Sequence, residues 1–210
     1  MASTLDAEQV RTILLAACQA IIDAKEELGE ADRAIGDGDH GQGMSNGFGA
    51  GMTALETAEL PSVGAAFKTV GSAVLATSGG ASGVIFGTMF RAPAKVLTGD
   101  VLDAEGYAAA LAAAAEQIGT RGKAKVGDKT MLDALVPAAE AARAAAGDGL
   151  AAAARAAAEA AEKGSESTID MVAAFGRAKS LGERARGHRD PGSMSVVILL
   201  QTIADGIERA

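Results

Sequence analysis

Three alanine-dominated segments, at about 103–119, 130–146 and 149–163, are punctuated by Gly106, Gly122, Gly127, Gly147 and Gly149. Alanine gives up no rotamer freedom in a helix and is the strongest helix former, so these runs leave little choice but α-helix. Val10, Ile13, Leu14, Ala17, Cys18, Ile21 and Leu28 recur at three-and-four spacing, which predicts an amphipathic first helix ending near Gly29. Shorter helices are predicted over 43–57, 62–77, 82–97 and 167–175. A last one, from about 191 to 208, opens on "DPG", with aspartate as cap and proline in the first turn. No stretch alternates like a strand. With aromatics at only 3 % and many small residues, helices must approach one another closely around a shared core. The expectation is one all-α domain over residues 1–210, built as an antiparallel helical bundle or barrel.

Charge and targeting signals narrow the function classes. The formal charge is −8 and no basic block stands early in the chain, which argues against nucleic-acid or acidic-membrane binding. The single cysteine, Cys18, sits in an apolar helical pattern, so no disulfide framework is available and a reducing compartment is the natural one. The N-terminal segment lacks the basic start and unbroken apolar run of an export signal, and nothing reaches the ~18 apolar residues of a membrane span. A cytoplasmic protein with no membrane partner is expected.

Alanine helices carry no chemistry, so the loops must. In "AIGDGDHGQGMSNGFGAG" at 34–51, Asp37 and Asp39 flank Gly38, and Asp32 lies five residues before Asp37, about one turn back if that segment is helical. Three carboxylates can then converge as hard oxygen ligands for a divalent ion. An EF-hand is excluded, because its twelfth position, counted from Asp37, is Phe48. On spacing alone, capping of turns and of the following helix fits the two aspartates equally well.

In "TSGGASGVIFGTMF" at 77–90, glycines lead into an apolar helix whose free N–H groups suit a phosphate, although a tight interhelical turn has the same pattern. "RGKAKVGDKTMLDAL" at 121–135 nearly spells a P-loop, but Asp128 intervenes and an alanine helix rather than a strand precedes it, so a Walker site is rejected. "GRAKSLGERARGHRDPGSMS" at 176–195 gathers Arg177, Lys179, Arg184, Arg186, His188 and Arg189 in an acidic chain. This is either a solvated basic loop or a phosphate clamp.

These four motifs, in this order and over this length, resemble the nucleotide-binding L-subunit family of dihydroxyacetone kinases. The resemblance implies an eight-helix antiparallel barrel holding ATP or ADP at one end through Mg²⁺. It also implies roles for individual residues: Asp32, Asp37 and Asp39 as metal ligands, and His40, Gly41, Gln42 and Gly43 as a nucleotide-contacting loop. Ala81 and Ser82 would contact phosphate, Gly122 and Met131 would line the adenine pocket, Arg177 would be the phosphate-side catalytic arginine, and Asp190, Pro191 and Gly192 a closing segment. The partners implied are a K-type subunit that binds the ketose and, in some members, a phosphohistidine carrier that recharges bound ADP. A homodimer is also admissible.

Members that use the carrier often have alanine between the two aspartates and asparagine three residues after the histidine, where this chain has Gly38 and Gly43. A missing amide hydrogen bond is worth roughly 0.5–1.5 kcal/mol, which leans the reading toward exchangeable ATP, with the carrier as alternative. A nucleotide-sensing regulatory module that binds a transcription factor or enzyme is the competing class, and a purely structural helical barrel the third.

Overall fold

A closed succession of helices follows from these alanine and glycine faces. The computed structural model describes residues 3–210. Nine α-helices are present among them: α1 (Ala7–Asp23), α2 (Lys25–Ile35), α3 (His40–Glu56), α4 (Val63–Thr77), α5 (Gly80–Arg91), α6 (Ala104–Gly122), α7 (Leu132–Ala145), α8 (Leu150–Ser167) and α9 (Pro191–Arg209). From α3 to α9 each helix packs on the next in chain order, and both α9 and α3 pack on α1, while α2 lies against α3. The all-α expectation therefore describes this chain. A short antiparallel pair, β1 (Leu5–Asp6) with β2 (Val101–Leu102), escaped the sequence reading because two-residue strands are too brief to alternate.

Several predicted boundaries move for identifiable reasons. The first helix bends at Ala24, whose ψ of 5° leaves helical geometry, and the chain resumes as α2 past Gly29. Gly29 is not a terminator: Gly41 packs against it, and a Cβ on Gly41 would strike the Lys25 carbonyl. Pro93 lacks an N–H, so α5 stops at Arg91 and a 3-10 turn, Pro93–Lys95, replaces the rest of the predicted 82–97 helix. The predicted helix over 167–175 does not form. Thr168–Asp170 is one 3-10 turn and Met171 is extended, because the Thr168 carbonyl accepts from Lys129 Nζ and its hydroxyl accepts from the Asp190 N–H. Tertiary partners have taken groups that a continuing helix would use.

The core is built from small residues with a few large anchors. Ala134, Ala138 and Ala142 of α7 and Ala153, Ala154, Ala157, Ala158 and Ala161 of α8 are all buried, which lets these two backbones approach closely. Phe48, Phe86 and Phe90 fill the opposite part of the interior, with Phe48 and Phe90 edge-to-face at 5.3 Å. Cys18 is fully buried, and burial pushes its thiol up to about 12, as befits a core residue rather than a reactive one. No helix among the described residues is long and apolar enough to cross a membrane.

Two helical glycines test this packing in opposite directions. A Cβ on Gly164 would run into the Asp133 carbonyl, whereas one on Gly49 meets nothing within 4 Å. Gly164→Ala is expected to lower the thermal midpoint markedly, and Gly49→Ala to raise stability by about 0.5–1 kcal/mol through helix propensity. Denaturant titration of both variants checks the pair.

Candidate functional site

Five loop segments meet around one cavity of about 530 Å³, lined among others by Asp32, Asp37, Asp39, Ser82, Met131, Arg177 and Pro191. The first wall comes from the α2–α3 corner. Gly38, at φ +80°, adopts the left-handed turn that returns the chain from Asp37 to the start of α3. Asp32 Oδ2 accepts the His40 N–H at 3.1 Å, which ties α2 to α3. Asp32, Asp37 and Asp39 each offer a carboxylate oxygen, all within 4.8 Å of one another. Partial desolvation raises the Asp39 pKa, and the charges of Asp37 and Asp32 raise it further, with Arg177 opposing. Such a convergence of hard oxygens suits Mg²⁺ and is costly without a cation. Arg177 Nε lies 2.6 Å from Asp37 Oδ2, so the predicted phosphate-side arginine stands beside the predicted metal ligands.

Two helix N-termini supply the facing walls. Gly79 and Gly80, at φ +68° and +54°, aim α5 into the cavity, and no side chain caps it, so its first N–H groups and positive dipole end face the space beside Ala81 and Ser82. α9 begins at Pro191, with Asp190 Oδ2 capping the Ser193 N–H at 2.7 Å. Enclosure pushes the Asp190 carboxyl up to about 7, an effect that the nearby Asp133 charge adds to and Lys129 opposes.

His40 has a role that spacing did not reveal. Its ring is buried, and it joins Ser82 on α5 to Ser195 on α9 at 3.0 and 2.9 Å. Ser195 donates its one proton to the Pro191 carbonyl at 3.1 Å, so Ser195 Oγ accepts from His40 Nε2–H, and Nδ1 accepts from the Ser82 hydroxyl. Burial holds His40 below its ordinary value, with Asp32 opposing, which fits this neutral tautomer. Ser195 was outside the predicted set because a serine in an apolar helix carries no signal of its own.

The loop before α7 was dismissed as a P-loop, yet it reaches the cavity through Lys129, Thr130 and Met131. Asp133, 1 % exposed, accepts the N–H groups of Gly127 at 2.5 Å and Thr130 at 2.7 Å. Lys129, 2 % exposed and at φ +58°, sends Nζ to the carbonyls of Thr168 at 2.5 Å and His188 at 2.6 Å. A left-handed non-glycine residue costs about 1–3 kcal/mol, so its surroundings must hold it there. Neither residue was singled out from sequence, since a lysine and an aspartate in a polar loop normally read as solvated.

The remaining predicted residues divide clearly. Gln42, Gly43, Ala81, Ser82, Met131, Arg177, Asp190, Pro191 and Gly192 line the cavity together with His40 and the three aspartates. Gly41 does not; it is buried against α2. Gly122, the last residue of α6, is also outside the lining. Of the basic side chains gathered in that segment, only Arg177 lines the cavity. Arg186 pairs with Glu183, and Arg189 pairs with Glu162 while bonding Ser165.

Residues 34–205 match the model of the DAK2 domain. The chain belongs to the DAK2 domain family. It is 39 % identical over 194 residues to the ADP-binding subunit DhaL of the PEP-dependent dihydroxyacetone kinase of Escherichia coli, covering 90 % of this chain and 92 % of that one. It is 35 % identical to the corresponding subunit of the PTS-dependent enzyme of Lactococcus lactis, covering 89 % and 91 %. It is also 38 % identical to the D-erythrulose kinase of Mycolicibacterium smegmatis, where 90 % of this chain corresponds to 34 % of the longer one. In three dimensions it is similar to the dihydroxyacetone kinase of C. freundii, with a TM-score of 0.74 at 26 % identity over 93 % of this chain and 34 % of that one. A second C. freundii structure, in complex with AMP-PNP and Mg²⁺, matches with a TM-score of 0.70. Membership in this family supports a kinase-subunit role.

The depressed basicity of His40 fixes the sign of a pH effect. Unfolded, the imidazole titrates near its ordinary 6.5, and folded it titrates lower. The stability this contributes is present above 6.5 and is lost as pH falls through the folded value, because the unfolded chain then binds the proton more readily. His40→Gln removes that proton. The thermal midpoint of the wild type relative to His40→Gln is therefore expected to fall between about pH 7.5 and about pH 5. A constant difference would show that the ring is not buried neutral.

Proposed function

We propose that this chain is the nucleotide-binding subunit of a two-component ketose kinase, passing a phosphoryl group to a dihydroxyacetone-like substrate held on a K-type partner. One observation carries the reading: in a DAK2 chain, three converging carboxylates and two helix N-termini face the same 530 Å³ cavity. Carboxylates alone suit a cation and helix N-termini alone suit an anion. Both on one cavity suit a magnesium–phosphate complex.

Asp32, Asp37 and Asp39 would hold Mg²⁺, which when bound supplies counter-charge to the phosphates and polarises their oxygens. The N–H groups at the start of α5 would receive phosphate oxygens, with the Ser82 hydroxyl oriented by His40 beside them. Arg177, 71 % exposed at the cavity mouth, is placed to neutralise charge on the transferring group. No side chain needs to act as a covalent nucleophile, because phosphoryl transfer is dominated by positioning and charge. The sugar acceptor would come from the partner, and neither His40 nor His188 serves it.

The donor reading shifts from the one drawn from sequence. The relatives matched along nearly their whole length are ADP-binding subunits of PEP- or PTS-dependent kinases. Gly43, whose missing amide favoured exchangeable ATP, also has a packing reason, because a Cβ there would lie 3.1 Å from the Ser78 carbonyl. Retained ADP, recharged in place by a phosphohistidine carrier, is therefore favoured.

Two measurements test this function. Asp37→Asn is expected to weaken calorimetric MgADP binding roughly tenfold or more, and EDTA to abolish most of the wild-type affinity. Affinity indifferent to EDTA would remove the metal from the proposal. For the donor, the purified chain is expected to carry ADP through dialysis, to be inactive alone, and with a K-type subunit, dihydroxyacetone and MgATP to complete about one turnover unless a phosphocarrier is added. Sustained turnover from ATP would restore the exchange reading.

A further inference from the structure

Lys129 joins three chain segments that are remote in sequence. Its own loop is pinned by Asp133, through the Gly127 and Thr130 N–H groups, and by the Ala174 N–H donating to the Asp128 carbonyl at 3.0 Å. Its ammonium donates to the Thr168 carbonyl just beyond α8 and to the His188 carbonyl two residues before Asp190. Thr168 in turn accepts the Asp190 N–H at 2.9 Å. Two of the three segments form cavity walls, Thr130–Met131 on one side and Asp190–Gly192 on the other. These walls meet: a Cβ on Gly192 would lie 3.5 Å from Met131 Cβ.

We propose that Lys129 is a positioning residue that clamps the Met131 wall to the Asp190–Gly192 wall and so sets the width and closure of the nucleotide cavity; this rests on the nucleotide-binding reading above. The geometry is more specific than packing requires. A lysine built left-handed and almost wholly enclosed is an unfavourable way to fill space, and a glycine or asparagine would satisfy the same turn. What neither could supply is a reach from this turn to two carbonyls on separate segments. The ammonium also faces the carboxylates of Asp190, Asp170 and Asp133, so a neutral apolar replacement would leave those acids without their counter-charge. In this role Lys129 acts through Met131, Pro191 and Gly192.

The test uses Lys129→Met in the full chain, with two readouts. In the nucleotide-free protein, hydrogen exchange should accelerate at least tenfold in both 125–131 and 188–195, while α1 and α4 keep wild-type protection. The dissociation rate of ADP in the presence of Mg²⁺ should rise at least tenfold, because the two walls no longer hold their spacing. Faster exchange confined to 125–131, or spread evenly over the chain, would overturn the clamp, as would an unchanged ADP dissociation rate in a folded variant. Should Lys129→Met fail to fold, Lys129→Gln, which keeps N–H donors on a shorter neutral chain, is measured in the same way against the same outcomes. A wild type that binds no ADP would refute the nucleotide reading, whereas the exchange pattern judges the clamp without any nucleotide.

Discussion

Carboxylate repulsion at the α2–α3 corner is the constraint around which the rest of the cavity is arranged. Two carboxylates about 4 Å apart repel by roughly 1 kcal/mol in water and by about 4 kcal/mol at an effective dielectric constant of 20, and here three are gathered. The corner withstands this because its ends are fixed elsewhere. Gly41 packs on Lys25 and Gly29, and the Asp32 carboxylate is bonded to the His40 N–H. The elements that face the corner are those that answer negative charge or receive it: Arg177, the uncapped start of α5, and α9 behind its aspartate cap. A ligand carrying both a divalent cation and phosphates satisfies every one of these demands at once, which neither ion does alone.

The helical frame makes this arrangement possible by being chemically empty. Alanine and glycine faces let α7 and α8 come close enough for Gly164 to touch the Asp133 carbonyl. The same Asp133 organises the loop carrying Lys129, Thr130 and Met131. Close helix packing and loop conformation are therefore coupled through one residue that belongs to both. The candidate site sits at the helix ends because only there are N–H groups left unpaired by the helices themselves.

How much of this was legible in the sequence depended on whether a residue acts locally. Helices were readable from alanine content and three-and-four spacing, since both report on the backbone of the segment itself. The aspartates at 32, 37 and 39 were readable because five- and two-residue spacings bring them together once α2 is drawn. Three of the failures share a cause. Thr168 ends α8 because Lys129, 39 residues away, occupies its carbonyl. His40 orients Ser82 and meets Ser195 across 155 residues of sequence. Gly29 looked like a helix terminator until Gly41 was seen against it. Each is a tertiary event, invisible to any local pattern.

Enclosed charge is seldom retained for stability. Removing a lysine and its facing acids in favour of apolar side chains of similar volume is often neutral or stabilising, because desolvation offsets the Coulomb gain. The Lys129, Asp133 and Asp190 cluster is therefore poorly explained as a device for holding the fold together, a task the alanine interface of α7 and α8 already performs. What the cluster supplies is direction. An ammionium between two carbonyls fixes the relative position of three segments in a way that apolar contacts, which tolerate sliding, do not. Such fixed geometry suits the cavity of the proposed function, which would bring phosphate oxygens, a metal and a partner's substrate into line, where misplacement by about 1 Å costs on the order of a hundredfold in rate.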